Sequence, residues 1–331
     1  MKSYIIALSS LIAFSASSYA SLSIVEDTYV DPKDKTGNTY TTATTKVSGT
    51  GSVADFGSTL SYKSMWLNGA DITLNDSTKK LLITATDKDS GGLSVSKGSA
   101  WYDVVCQGSN KITVKDGGTI SLSASNALTI YDSDGTSTLD LTIDSTAGDV
   151  SIRKVYINSG SMLTVNLHKV NALGVGSQIG SAYGGKHLTV NMDCDQNVSL
   201  DFRNTTINAF NITNGATLTV SGWGYVSGAT TSSIILADGL KNGSIFFSDK
   251  CSDWNVESWD AENSAFTVKR KTNTMTIYFV DENEEQLKDL SFTAVDGGWL
   301  ITGMQAVPEP AEWAMIFGGI ALGLAIYRRR K

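Results

Sequence analysis

Between residues 60 and 245 the chain repeats one short phrase: an apolar residue, a threonine and a second apolar residue, set close to Gly, Asn or Asp. It stands at Ile72-Thr73-Leu74, Ile112-Thr113-Val114, Leu128-Thr129-Ile130, Leu141-Thr142-Ile143, Leu163-Thr164-Val165, Leu188-Thr189-Val190 and Leu218-Thr219-Val220. Neighbouring side chains of an extended strand point to opposite faces. Each triplet therefore puts its two apolar residues on one face and Thr on the other, the pattern of a half-buried strand. From Ile112 onward the triplets begin 16, 13, 22, 25 and 30 residues apart. The interval is irregular but centred on the length of one repeat in a stacked β structure. There, short strands that cannot bury a face alone gain a core from their neighbours, and the loops between them vary. The expected architecture is all-β, a right-handed parallel β-helix or solenoid over residues 21–244, with Val, Ile and Leu inward and Thr, Ser and Asn outward. Antiparallel β-sandwich domains satisfy the same strand-turn rhythm and remain the alternative, although two-residue hairpin signals are few.

Near residue 245 the pattern changes. Ile245-Phe246-Phe247, Trp254, Trp259, Phe266-Thr267-Val268 and the run Met275 to Val280 make a more aromatic and more charged block, and Asp281-Glu282-Asn283-Glu284-Glu285 reads as a solvated turn. An end strand of a stack exposes unpaired backbone groups and needs covering, so residues 245–306 are expected to form a C-terminal β cap. Trp254 and Trp259 are then packing residues first, since aromatic rings bring large apolar area to a core. A sugar-binding surface is the sharper alternative for them.

The two ends carry a different pattern. Residues 1–20 begin with Lys2, continue through an apolar run from Tyr4 to Phe14 and finish with Ser18-Tyr19-Ala20. This is the form of a secretory signal peptide, with the cut expected between Ala20 and Ser21 by signal peptidase. At the other end, Trp313 to Tyr327 holds fifteen residues without a charge, followed by Arg328, Arg329, Arg330 and Lys331. Fifteen helical residues rise only about 22 Å against a hydrocarbon core of about 30 Å. With Ala311, interfacial Trp313 and Tyr327, and snorkelling Arg side chains, a single short transmembrane helix over 311–327 is expected, with Arg328, Arg329 and Arg330 fixing its topology on the cytoplasmic side. Before it stands Val307-Pro308-Glu309-Pro310. Two of the three prolines in the chain flank Glu309, and each lacks an N–H and biases its predecessor to extended geometry. The tetrapeptide is expected to be an exposed, non-helical strand able to lie in a protease cleft.

Residues 307–331, VPEPAEWAMIFGGIALGLAIYRRRK, resemble a PEP-CTERM sorting signal, with Pro-Glu-Pro at 308–310, an apolar run and a terminal Arg cluster in that order. Glu312 adds a second acid before the apolar run. The resemblance covers about 25 residues of the chain and implies nothing about the fold of the rest. It implies that Pro308, Glu309 and Pro310 are recognised by an exosortase, a membrane-embedded processing enzyme of Gram-negative bacteria that make extracellular polysaccharide. It also implies a protein held at the membrane by its tail, then passed to the cell surface or extracellular matrix.

Composition narrows the partners. Between residues 21 and 306 there are 21 Lys and Arg against 31 Asp and Glu, a net charge of −10. Such a surface repels phosphate backbones and anionic headgroups, and no basic stripe reverses it locally, so nucleic acid is excluded as a partner. The PEP-CTERM resemblance, and not the composition, brings in extracellular polysaccharide as a candidate ligand. Cys106, Cys194 and Cys251 lie far apart without C-x-x-C spacing. The spacing selects no disulfide pair and offers no metal site, and small buried or half-buried residues are the simpler reading.

No catalytic constellation, cofactor motif or metal-ligand set is legible. His168 and His187, both beside strand triplets, sit in no metalloprotease or nucleophile motif and are expected to be exposed strand residues. Asp132-Ser133-Asp134-Gly135 and Asp87-Lys88-Asp89 are fragments of a calcium loop but complete none, and turn chemistry accounts for them. The expectation is an exported surface or matrix protein of structural or adhesive function. A polysaccharide-active or carbohydrate-binding protein on the same scaffold is the alternative.

Overall fold

The structure is a computed structural model that describes residues 22–31, 40–52, 60–62, 65–77, 81–83, 93–94, 101–102, 104–122, 128–130, 137–152, 154–157, 161–173, 178–179, 185–200, 206–223, 231–249, 255–270, 272–288 and 290–303. These residues are mostly strand. The one helical turn among them is the 3-10 turn Ala237–Leu240.

Alternating apolar and polar positions do form the strands. Thr138–Ile143 buries Leu139, Leu141 and Ile143 and leaves the residues between them half-exposed, and Met162–Leu167 repeats this with Leu163, Val165 and Leu167. Stacking is parallel through the middle of the chain and follows two ladders. The first runs through Met65 to Asn68, Val104–Gln107, Leu128–Ile130, Lys154–Ile157, Gln178–Ile179, Gln196–Leu200, Thr217–Trp223 and Ser244–Ser248. The second runs through Asp71 to Leu74, Ser109–Val114, Thr138–Ile143, Met162–Leu167, Gly185–Met192, Thr206–Ile212, Thr231–Leu236 and Asn273–Val280. The chain visits one ladder, then the other, turns a corner and returns. In the second ladder Ile72, Ile112, Leu141, Val165, Val190, Phe210 and Leu236 are in register, at returns of 40, 29, 24, 25, 20 and 26 residues.

The Thr triplets do not form a single column. Leu128-Thr129-Ile130 and Leu218-Thr219-Val220 belong to the first ladder, whereas Ile112, Leu141, Leu163 and Leu188 begin triplets in the second. The 16- and 13-residue steps around Leu128 are therefore two parts of one 29-residue return. Inward residues of both ladders meet in one continuous core from Val47 to Ile301.

Both ends are antiparallel. Ser23–Asp31 pairs antiparallel with Tyr40–Ser52. At the other end Asn255–Asp260, Ala265–Arg270 and Asn273–Val280 form an antiparallel run, and Gly298–Gly303 pairs antiparallel with both Ser244–Ser248 and Leu290–Val295. Here Phe247 packs on Phe266 with ring centroids 4.6 Å apart, and on Phe279 at 6.2 Å. Trp259, Phe292 and Trp299 form a stack with successive centroid distances of 4.2 and 4.8 Å.

The expected fold needs correction. In place of a right-handed parallel β-helix with a cap and a transmembrane helix, the pairing gives an all-β arrangement: one 21-stranded sheet, parallel in the middle and antiparallel at its ends, with three two-stranded ladders beside it. No helix among the described residues is long and apolar enough to cross a membrane. The helix expected at 311–327 lies outside the described residues. It was read from an apolar run shorter than the hydrocarbon core, a pattern that does not by itself specify a spanning helix. Antiparallel sandwiches also fail to describe the middle, where the register is parallel.

Candidate functional site

The second ladder presents its outward face as two columns of side chains about 4.8 Å apart along the stack. One column contains Thr73, Thr113, Thr142, Asn166, Asn191 and Asn211 in register. The other contains Asp71, Lys111, Asp140, Thr164, Thr189, Ala209, Ile235 and Val280. The amides tie rungs together: Asn166 Nδ2 donates to Asp140 Oδ1 at 2.8 Å and to Thr142 Oγ1 at 3.2 Å, and Asn191 Nδ2 donates to Asn166 Oδ1 at 2.8 Å. Like residues recur at one register position because each amide offers both a donor and an acceptor to its neighbour.

This face ends in a groove. After Thr189 the second column shrinks to Ala209 and then turns apolar at Ile235 and Val280, both buried although they point away from the core. They are covered because the chain folds back after Val280, with a β-bridge from Val280 to Gln286. The covering turn is held tightly: Asp281 Oδ1 accepts N–H bonds from Asn283 at 2.8 Å and Glu285 at 2.9 Å, and Asp281 N–H donates to the Glu285 carbonyl at 2.9 Å. Between it and the polar columns lies a groove of about 280 Å³ lined by Thr189, Asn191, Ala209, Asn211, Ile235, Ala237 and Glu282, among others. A larger depression of about 660 Å³ lies along the corner turns 213–215 and 241–243 beside Thr302 and Gly303.

The corners form a further polar column. Lys115, Asp144, His168, Asp193 and Thr213 each follow a second-ladder strand, and each donates its backbone N–H to a carbonyl one rung below. His168 Nδ1 lies 2.7 Å from Asp193 Oδ2, and both side chains are exposed. The Asp144 carboxyl is held below the usual carboxylate range, first by the Thr146 N–H, then by the Thr146 hydroxyl and by the charge of His168. Thr146 also interlocks rungs, since its Oγ1 accepts the N–H of Asp116 at 2.8 Å. A depressed folded-state pKa stabilises the fold fully above the unfolded value of 3.8, and that contribution is lost as pH falls through the lower folded value. Asp144→Asn is therefore expected to flatten the acid limb of stability. Urea midpoints measured from pH 5 down to pH 2 check this, and an acid limb identical to wild type would refute it.

His168 is thus an exposed corner residue paired with an acid, and His187 falls at a β-bulge between Lys186 and Leu188. No group of three or more His, Cys, Asp or Glu among the described residues is placed to hold a metal ion. Cys106 is a buried free thiol between Leu67 and Ile130 in the first ladder, its pKa pushed up by burial, and Cys194 is a half-buried free thiol at a corner. Trp259 packs in the aromatic stack, as a packing residue should. Ala20, Ser21, Pro308, Glu309, Pro310, Arg328, Arg329 and Arg330 lie outside the described residues, as do Cys251, Trp254 and the segments 87–89 and 132–135.

Sequence reasoning missed the Asn column and the groove. A signal for the column was present, since Leu163-Thr164-Val165-Asn166 and Leu188-Thr189-Val190-Asn191 repeat one tetrapeptide. Compared with models of protein families and with curated proteins, the chain matches none.

Proposed function

We propose that this chain is an exported surface or extracellular-matrix protein of structural and adhesive function, processed by an exosortase-type enzyme at Pro308-Glu309-Pro310. Residues 1–20 act as its secretion signal, removed between Ala20 and Ser21, and Arg328 to Arg330 form the basic end of the tail that processing removes. The observation that carries this reading is the order of Pro-Glu-Pro, apolar run and Arg cluster in residues 307–331. The stacked polar face supports the adhesive part. Its rungs are interlocked by side-chain amides, so it offers a partner a rigid array that loses little entropy on contact.

The test is intact mass of the protein recovered from producing cells, wild type against Glu309→Ala. The wild type is expected to end near residue 310 and the variant to keep residues 311–331. If both keep the Arg tail, processing at Pro-Glu-Pro is refuted.

A further inference from the structure

We infer that the groove between the Asn column and the Asp281–Glu285 turn is a binding site for a neutral hexopyranose segment of a polysaccharide. The inference rests on the adhesive reading above and names what that face would hold; it is independent of how the tail is processed.

The groove combines two kinds of surface. Ala209 and Ala237, with the edge of the buried Ile235 behind them, give it a short apolar strip, and Thr189, Asn191, Asn211 and Glu282 supply a hydroxyl, two amides and a carboxylate around that strip. A pyranose ring has the matching character: C–H groups on one face and hydroxyls at its edge, each able to donate and accept. Amides can meet a hydroxyl in either sense, whereas a carboxylate only accepts, and its bonds to hydroxyl donors are the stronger ones. The volume, about 280 Å³, sits at the lower edge of small-ligand sites, about 300–1,000 Å³. This suits a short segment of a chain that continues along the polar face.

Preorganisation comes from register. Thr189, Ala209 and Ile235 are fixed by consecutive parallel rungs, Asn191 is held by its bond to Asn166, and Glu282 stands on a turn closed by bonds to Asp281 from the N–H groups of Asn283, Glu284 and Glu285. The backbone of the site is therefore set before ligand arrives, which lowers the ordering cost of binding. Charge decides the class of sugar. Glu282 in the groove and a net charge of −10 over residues 21–306 oppose a uronic acid, whose carboxylate would have no cation among the lining residues.

The experiment titrates the full-length protein with neutral tetrasaccharides of gluco, manno and galacto configuration, with a uronic acid tetrasaccharide, and with the free hexoses, followed by saturation-transfer NMR and calorimetry. At least one neutral tetrasaccharide is expected to bind, at least fivefold tighter than its free hexose and tenfold tighter than the uronate. Asn211→Ala and Glu282→Gln should each weaken it at least fivefold at unchanged thermal midpoint, while Glu262→Gln, on a separate exposed turn, should not. Free hexose binding as tightly as the tetrasaccharide would overturn the chain-segment assignment. Binding of the uronate as tight as the neutral sugars, binding indifferent to both groove variants, or no binding of any neutral tetrasaccharide would overturn the site. None of these outcomes bears on the mass measurement that tests processing at Pro-Glu-Pro.

Discussion

Replacing Phe247 with alanine is expected to remove about 3–5 kcal/mol of unfolding free energy, the range for truncating a large buried aromatic side chain. Phe247 is wholly buried and lies where three structural directions meet. Its strand stacks parallel on Thr217–Trp223 and antiparallel on Gly298–Gly303, and its ring packs on Phe266 and Phe279 from the antiparallel run. Neighbouring rings cannot close over the void without breaking one of these ladders, so most of the cavity remains. Urea unfolding of the two proteins checks this: the midpoint should fall with an unchanged slope, which marks a loss of stability and not of cooperativity. A loss below about 1.5 kcal/mol, the range of well-tolerated hydrophobic swaps, would mean that the aromatic end is loosely packed.

The second large effect is expected at a corner. A Cβ on Gly118 would lie 1.9 Å from the Leu74 carbonyl oxygen and 2.9 Å from the Asn75 nitrogen. Both are backbone atoms of the rung below and cannot swing aside. The same carbonyl accepts the Lys115 N–H at 2.9 Å, and Gly118 in turn accepts the Gly148 N–H at 2.7 Å from the rung above. Gly118→Ala must open this corner, and overpacking of this kind costs about 1–3 kcal/mol with roughly 1 kcal/mol more for a lost hydrogen bond. The rung spacing is fixed by backbone pairing, so the strain passes to both neighbours. Hydrogen exchange should show faster exchange at Lys115 and Gly148 together, while Thr302 and Ile301 at the far end keep their protection. Unchanged exchange at Gly148 would show that the corners are not coupled.

His168, Trp259 and Cys106 show how much a local pattern can say about single residues. His168 was expected exposed and is exposed at a corner; Trp259 was expected to pack and does; Cys106 was expected buried and is. Each follows from the polarity of the side chain and its immediate neighbours. Glu282 is a different case. As part of an acidic run it reads as a solvated turn, and it is one, but nothing in residues 281–285 says that the turn folds over Ile235 and beside Asn211.

By itself the sequence determined that the chain is β, because a period of two in the apolar residues leaves no helical face to bury. It determined which residues face inward in Ile112 to Val114, Leu141 to Ile143 and Leu163 to Val165, and it marked the composition change at the aromatic end. Only the tertiary structure decided which triplet stacks on which. Leu128-Thr129-Ile130 and Leu141-Thr142-Ile143 look alike along the chain yet belong to different ladders, because ladder membership depends on where loops of unequal length return the strand. That same decision aligned Asn166, Asn191 and Asn211, buried Ile235 and Val280 on the outward face, and left the groove between them. Register is a property of pairs of strands, and no one strand contains it.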